Sequence, residues 1–394
     1  MAPVTAAKKF RVLIVDDSAF MRKVLESIFN ADPQLQVVGH AKDGREAVAL
    51  AESLKPDVIT MDINMPHVDG LQATAEIMTT NPRPIVVVSS ESREGASSTL
   101  RALELGAIEF VAKPSSGIDL DMQSVREDLL RKVRMAAKVR VVRTASRIAQ
   151  TLRNASSAMP AAPATPGSAT SPKNSAPLLS AHRTYVSLAP SSGLDQRFPV
   201  VVIAASTGGP ATVMRLAPGF TADFPAAIIL VQHMPAAFTT QYTAQLAEFT
   251  SIRVKEVEPN ESLAPGTLYV CPGGHHLRIT PTGRLQLDAS SGRINGYLPN
   301  IDVTMESVAS YAGAMSIGAI LTGMGNDGAA GCLAIKRAGG LVIAQNEESC
   351  VIFGMPSEAI KAGAADEILT LDEIYPAIEK RVIAIARPVA AGVR

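Results

Sequence analysis

Net charge is missing from this sequence: 37 Lys+Arg face 37 Asp+Glu across 394 residues. Without an overall field, nucleic acid and anionic membranes are disfavoured as partners, and any charged partner must be met by a local patch. Cysteine is nearly missing too. Cys271, Cys332 and Cys350 are odd in number and form no C-x-x-C pair, which excludes a disulfide framework and a zinc site and points to buried thiols, a reactive thiol being the lesser alternative. Long apolar runs are absent: stretches such as Phe198–Ala205 and Ala314–Leu321 fall far short of the ~20 residues that span a bilayer. The short apolar run after Lys8-Lys9 ends in Asp16-Asp17 and not in a small-residue cleavage site, so no secretion signal is read and a cytoplasmic location is expected.

What is present is a repeated alternation. From Phe10 to Gly117 short apolar runs (RVLIV, QVVG, PDVIT, PIVVVSS, IEFVAKP) separate helix-like stretches, and from Phe198 a second series follows (PVVVIAAS, AAIILVQH, GTLYVCP, IGAILTG, GGLVIAQ). Such alternation implies parallel βαβ units, and the length implies two domains rather than one core. The expected fold class is α/β, with two doubly wound parallel-sheet domains, the first flavodoxin-like and the second Rossmann-like. The expected division is residues 8–125, then residues 126–197, then residues 198–385. In the middle part a charged amphipathic helix, read from Leu120 to about Leu152, leaves the first domain. It passes into an Ala/Pro/Ser/Thr-rich stretch from Arg153 to Arg197 that cannot bury enough apolar surface to offset its ordering entropy, and is read as a disordered tether.

Asp16 and Asp17 close the first strand of the series and Asp62 the third. In the flavodoxin-like order those strands are neighbours whose carboxyl ends open on one crevice. Three converging carboxylates call for a hard divalent cation, and oxygen ligands suit Mg²⁺. Lys113 and Ser89, also at strand ends, would supply the cation and hydroxyl that hold a transferred phosphoryl group. The paired acids, MDINMPHVDG, Ser89 and Lys113-Pro114 together resemble the pattern of response-regulator receiver domains over roughly the first 120 residues. The resemblance implies that Asp62 is the phosphoacceptor and Asp17 a Mg²⁺ ligand. It further implies that Asp16 supports the metal through water, that the Asn64 carbonyl completes the shell, and that Phe110 is the rotamer-switch aromatic.

In the second half, FPVVVIAASTGGP is a buried strand ending in a serine, then glycines and a proline that can open a helix. Ser206 thus stands at a strand-to-helix turn whose free N–H groups face any nearby oxyanion, a setting suited to a nucleophile. A serine nucleophile needs a base. His233 follows AAIILVQ at a strand end on the same sheet edge and is favoured over the pair His275-His276, which lies in a turn after CPGG. Asp327, in AILTGMGNDGAAG, is the candidate acid to orient the imidazole. A rival reading sits on the same loop: Gly323–Gly328 spells G-x-G-x-x-G after a strand, with Glu347 about 20 residues on, as a dinucleotide site requires. It lies deep in the domain, however, and too little chain follows Glu347 for a full nucleotide-binding half.

STGGP, QHMP, Pro272–His276, LTGMGNDGAAG and AQNEESCVIFGMP resemble the catalytic domain of the chemotaxis-specific protein-glutamate methylesterases from about Val200 to Leu371. The resemblance implies Ser206 as nucleophile, His233 as base and Asp327 as orienting acid, with the Met324 N–H in the oxyanion hole and Thr207 beside the serine. Two positions depart from the family pattern: Ala204 where glycine is usual, and Tyr297-Leu298-Pro299 where a basic pair commonly precedes that proline. The implied enzyme is a monomeric, phosphorylation-activated serine carboxyl-ester hydrolase acting on glutamate methyl esters of chemoreceptors, with protein-glutamine deamidation. A chemotaxis histidine kinase would be its phosphoryl donor, Mg²⁺ would serve the receiver alone, and ester hydrolysis would need no cofactor. Two other classes compete less well. A non-catalytic adaptor would not need the intact Ser206, His233 and Asp327, and a DNA-binding regulator would need a basic recognition helix.

Overall fold

The computed structural model describes residues 9–89, 93–113, 121–139 and 198–386. The tether read from Arg153 to Arg197 lies outside the described residues.

The first domain is a five-stranded parallel sheet in the order β2-β1-β3-β4-β5. The strands are β1 Phe10–Val15, β2 Leu35–Ala41, β3 Val58–Met61, β4 Ile85–Ser89 and β5 Glu109–Ala112. Strands β3 and β4 are wholly buried and, apart from Thr60 and Ser89, apolar, as parallel strands covered on both faces are. Helices α1 Ala19–Asn30, α2 Gly44–Leu54 and α3 Gly70–Thr80 start where Ser18, Asp43 and Asp69 accept a hydrogen bond from the N–H three residues on, satisfying donors that a helix start leaves open. Helices α4 Arg93–Glu104 and α5 Asp121–Ala136 complete the domain.

Helix α5 differs from expectation. It does not lead away from the domain: Leu129, Val133 and Ala136 are buried in one cluster with Val12, Ile14, Val86 and Val88, and Lys132 ion-pairs with Glu109 at the start of β5. Its helical periodicity reflects packing on the first sheet, and it runs through the expected boundary at residue 125.

The second sheet has seven parallel strands in the order β14-β13-β12-β6-β7-β9-β8. They are β6 Val200–Ala205, β7 Ala227–Gln232, β8 Arg253–Glu256, β9 Thr267–Val270, β12 Ser316–Ile320, β13 Leu341–Gln345 and β14 Glu367–Leu369. Its helices are α6 Gly209–Leu216, α7 Ala236–Glu248, α8 Ile301–Ala312, α9 Ala329–Arg337, α10 Met355–Lys361 and α11 Leu371–Ala386. An antiparallel hairpin, β10 His276–Ile279 with β11 Leu285–Asp288, stands outside this sheet. Because β6 pairs with β7 on one side and β12 on the other, the chain reverses its direction of travel across the sheet there, and a crevice opens at the carboxyl ends of β6 and β12.

The two domains touch. Helix α4 lies along α7, Glu104 accepts a hydrogen bond from Gln245, and the Phe110 ring packs on Phe238 with centroids 4.4 Å apart. Among the described residues no helix is long and apolar enough to cross a membrane.

Candidate functional site

The β1 and β3 ends bring three acids together: carboxylate oxygens of Asp16, Asp17 and Asp62 lie within 4.8 Å of one another. Lys113, directly after β5, ion-pairs with Asp16 at 3.0 Å and Asp62 at 2.7 Å. Burial pushes the Asp62 carboxyl above its ordinary range despite the pull of Lys113. Burial also opposes the Lys113 charge, but hydrogen bonding and attraction from Asp62 and Asp16 outweigh it and hold that ammonium above its ordinary value. Three carboxylates against one lysine leave excess negative charge, and the donors are oxygens only, a set that fits Mg²⁺. The Asn64 backbone bonds the Asp62 carboxyl, Ser89 is buried at the end of β4, and Phe110 is buried where the domains meet.

On the second domain, β6 ends at Ala205 and the chain turns through Ser206, Thr207 and Gly208 before α6. Gly208 takes φ 75°, a left-handed conformation that glycine adopts without strain. The backbone pins this turn: Ser206 N–H donates to the Thr322 carbonyl at 3.0 Å, and Thr322 Oγ1 donates to the Thr207 carbonyl at 3.0 Å. The turn that holds Met324 lies against the serine, since a Cβ on Gly323 would come within 2.8 Å of Ser206 Cβ.

His233 follows β7, on the same sheet edge. Its Nε2 is 2.8 Å from Asp327 Oδ2. With Nε2–H donating to that carboxylate, the nitrogen left to accept a proton is Nδ1, which is buried and has no hydrogen-bond partner among the described residues. No hydrogen bond joins Ser206 Oγ to the imidazole among those residues, but both side chains line one cleft, and such bonds tighten when substrate binds.

Asp327 owes its orientation to a helix end. Ile301 and Asp302, at the start of α8, donate their N–H groups to Oδ2 at 2.8 Å and Oδ1 at 3.1 Å. The arrangement is reciprocal, because Asp302 Oδ1 accepts from Gly328 at 2.9 Å and Gly331 at 2.7 Å, at the start of α9. Each acid thus satisfies the open donors of the other's helix. Burial, with Asp327 nearby, raises the Asp302 carboxyl to about 6.

This clasp bears on the dinucleotide reading of Gly323–Gly328. The α9 start, where a pyrophosphate would have to sit, is filled by the Asp302 carboxylate. The histidine pair is likewise accounted for. His276 is fully buried, with Nδ1 accepting from Asn300 N–H at 3.1 Å and Nε2 bonded to the Gly292 carbonyl at 2.7 Å, so it has no nitrogen to spare, and His275 bonds the Gly273 carbonyl in its turn. Burial pushes the Cys271 and Cys332 thiols up, and Cys350 up to about 12, which keeps them as unreactive thiols.

The sequence did not single out two buried amides near the site, and it marked Tyr297 only as a departure from the family pattern. Gln232, at the last position of β7, is buried and donates from Nε2 to the Ser206 carbonyl at 2.9 Å and the His233 carbonyl at 3.2 Å. Gln345 at the end of β13 accepts from Thr322 N–H at 2.8 Å. An amide side chain ending an apolar run was the available signal, since a buried amide must find partners. Tyr297 stacks on the His233 imidazole. The cleft lined by Ser206, His233 and Tyr297 has a volume of about 640 Å³ and is walled on its other side by the first domain through Phe110, Asp128, Arg131 and Lys132.

Comparison with known proteins shows what the chain is similar to. Residues 201–378 match the family model described as CheB methylesterase, and residues 12–125 match that of the response regulator receiver domain. A protein-glutamate methylesterase/protein-glutamine glutaminase of Symbiobacterium thermophilum is 41% identical, over 95% of this chain and 98% of that protein. One of the same description from Pyrococcus horikoshii is 38% identical, over 95% of this chain and 94% of that protein. The crystal structure of the Thermotoga maritima CheB methylesterase catalytic domain is 38% identical over 46% of this chain and 98% of its own, with a TM-score of 0.44. Likeness at this level over nearly the whole length places the chain in the CheB family, whose relatives described as protein-glutamate methylesterase/protein-glutamine glutaminase share its receiver-plus-methylesterase organisation.

Proposed function

We propose that this chain hydrolyses glutamate γ-methyl esters on chemoreceptors, and deamidates particular glutamines there, under control of phosphorylation at Asp62. The observation that carries the ester chemistry is the 2.8 Å bond between His233 Nε2 and Asp327 Oδ2 beside Ser206. Ser206 Oγ attacks the ester carbonyl while its proton passes to His233 Nδ1, and Asp327 stabilises the imidazolium that forms. The tetrahedral oxyanion rests on backbone donors, with Met324 N–H among them and Thr207 beside the serine. Collapse expels methanol, which takes the proton from His233. Water, deprotonated by the same nitrogen, then attacks the acyl-serine, and glutamate and the Ser206 hydroxyl are regenerated. Replacement of Ser206 by alanine is expected to abolish methanol release from methyl-labelled receptor with the melting temperature unchanged, and near-normal release would end the serine-esterase reading.

Asp16, Asp17, Asp62 and the Asn64 carbonyl would hold Mg²⁺, which neutralises charge on the phosphoryl group in transit. Lys113 and Ser89 would grip that group once it is on Asp62. The contact of Phe110 with Phe238, one turn of chain from His233, supports a route from that event to the cleft. The reading carries with it a division at residues 8–125, 126–197 and 198–385, the first boundary moved past α5 Asp121–Ala136, which packs on the first sheet. It also carries a histidine kinase as phosphoryl donor and a monomer working in the cytoplasm.

A further inference from the structure

Tyr297 has no part in the chemistry above, yet it is placed with care. The segment Ile294–Tyr297 closes a tight hairpin in which the N–H of each end residue donates to the other's carbonyl at 3.0 Å. Asn295 and Gly296 between them both have positive φ, 52° and 87°, which is the Asn-Gly turn that suits a two-residue hairpin. Three residues later Asn300 caps α8 through Val303 N–H, and the next two residues clasp Asp327. One short segment therefore fixes both the acid behind His233 and the ring in front of it.

The Tyr297 ring lies face to face with the His233 imidazole, centroids 4.4 Å apart and planes within 14°. Its hydroxyl rests on the turn that carries Met324, since a Cβ on Gly325 would come within 2.2 Å of Tyr297 Oη. The ring thus spans from the base to the oxyanion turn. Among the described residues the His233 imidazole is hydrogen-bonded at Nε2 alone, and one hydrogen bond does not stop the ring from swinging about it. A face-to-face stack does. The same π face favours a cation, so it stabilises the imidazole at the moment it takes the serine proton.

We propose that Tyr297 is a positioning residue for the base, holding His233 Nδ1 on Ser206 and favouring the imidazolium. The role rests on the serine-esterase reading, and it takes a residue at which this chain departs from its family's basic pair away from receptor recognition. The test uses the full chain with Mg²⁺ and a small phosphoryl donor, comparing wild type, Tyr297→Phe, Tyr297→Leu and Ser206→Ala. Methanol release from methylated receptor gives kcat and KM, and the rate of covalent labelling by a fluorophosphonate reports Ser206 reactivity without receptor recognition. Tyr297→Leu is expected to lower kcat and the labelling rate together by about tenfold with KM little changed, and Tyr297→Phe, which keeps the face, is expected to restore both. Tyr297→Met takes the place of the leucine variant should that fail to fold. A rise in KM with kcat and labelling intact would make Tyr297 a receptor contact and overturn the proposal, as would wild-type behaviour of the leucine variant. Activity or labelling retained in Ser206→Ala would instead overturn the esterase reading on which it rests.

Discussion

At the scale of the residue, the site depends on acids whose environments differ. Asp327 is pointed by two backbone N–H groups and a histidine. Asp327→Asn would keep the bond from Asp302 N–H but present an amide NH2 where both Ile301 N–H and His233 Nε2 need an acceptor, mis-setting the tautomer. Methanol release is expected to fall by orders of magnitude, as loss of the orienting acid does in serine hydrolases, while stability falls by only about 1–3 kcal/mol for the Ile301 N–H left without its acceptor. Asp302 makes a different prediction, because burial first, and Asp327 as well, raise its carboxyl from 3.8 to about 6. A raised acid binds its proton more tightly in the folded chain than in the unfolded one. Its contribution to stability is therefore present below the ordinary carboxylate value and is lost as pH rises through about 6. Asp302→Asn removes this loss while keeping an oxygen for Gly328 and Gly331. Denaturant melts should show the variant gaining on wild type by about 1 kcal/mol from roughly pH 4 to roughly pH 7, solvent screening having reduced the full effect of the shift. A pH-independent difference between the two proteins would rule this out.

At the scale of the element, strand ends place the chemistry and glycines let the loops approach. Gly70 opens α3 directly behind the loop that carries Asp62, and a Cβ there would meet the Asp62 carbonyl at 2.1 Å and Ile63 Cα at 2.7 Å. These are backbone atoms, so the loop itself would have to move. Gly70→Ala is expected to slow phosphorylation of Asp62 by a small-molecule donor at least tenfold and to lower the melting temperature by several degrees, and unchanged phosphorylation would show that the loop absorbs the methyl group. The Asp-Gly pair was visible in MDINMPHVDG, and so were the strands that end in Asp62, Ser206 and His233, because buried parallel strands read as unbroken apolar runs. Strands β8 and β14 were not visible: they are edge strands with exposed or half-exposed positions, and Arg253–Glu256 carries three charges in four residues. The hairpin β10–β11 was missed for a similar reason, each strand being only four residues long and mixing buried with exposed or half-exposed positions.

At the scale of the whole molecule, the first domain forms a wall of the cleft that holds Ser206 and His233. If that wall limits access, removing residues 1–197 is expected to raise basal methanol release severalfold. A phosphoryl donor with Mg²⁺ should raise it in the full chain but not in the Asp62→Asn variant. A docking preference of a few kcal/mol suffices for such control when a tether keeps the partners at high local concentration. Equal basal activity with and without the first domain would exclude occlusion and leave phosphorylation to act by recruitment or by an activating contact.

The amino-acid sequence by itself determined the two parallel sheets, because apolar runs with period-breaking helices admit few other folds. It also determined the residues at their carboxyl edges, because Asp62, Ser206, His233 and Asp327 are polar groups that end or follow buried runs. Tertiary structure decided what those groups face. That α5 folds back on the first sheet, that Asp302 and Asp327 exchange helix ends, that His276 is locked by Asn300 and Gly292, and that Tyr297 covers His233 are contacts between segments far apart in the chain. Local periodicity carries no information about such pairs, since burial and hydrogen bonding there are set only once the sheets have brought the loops together.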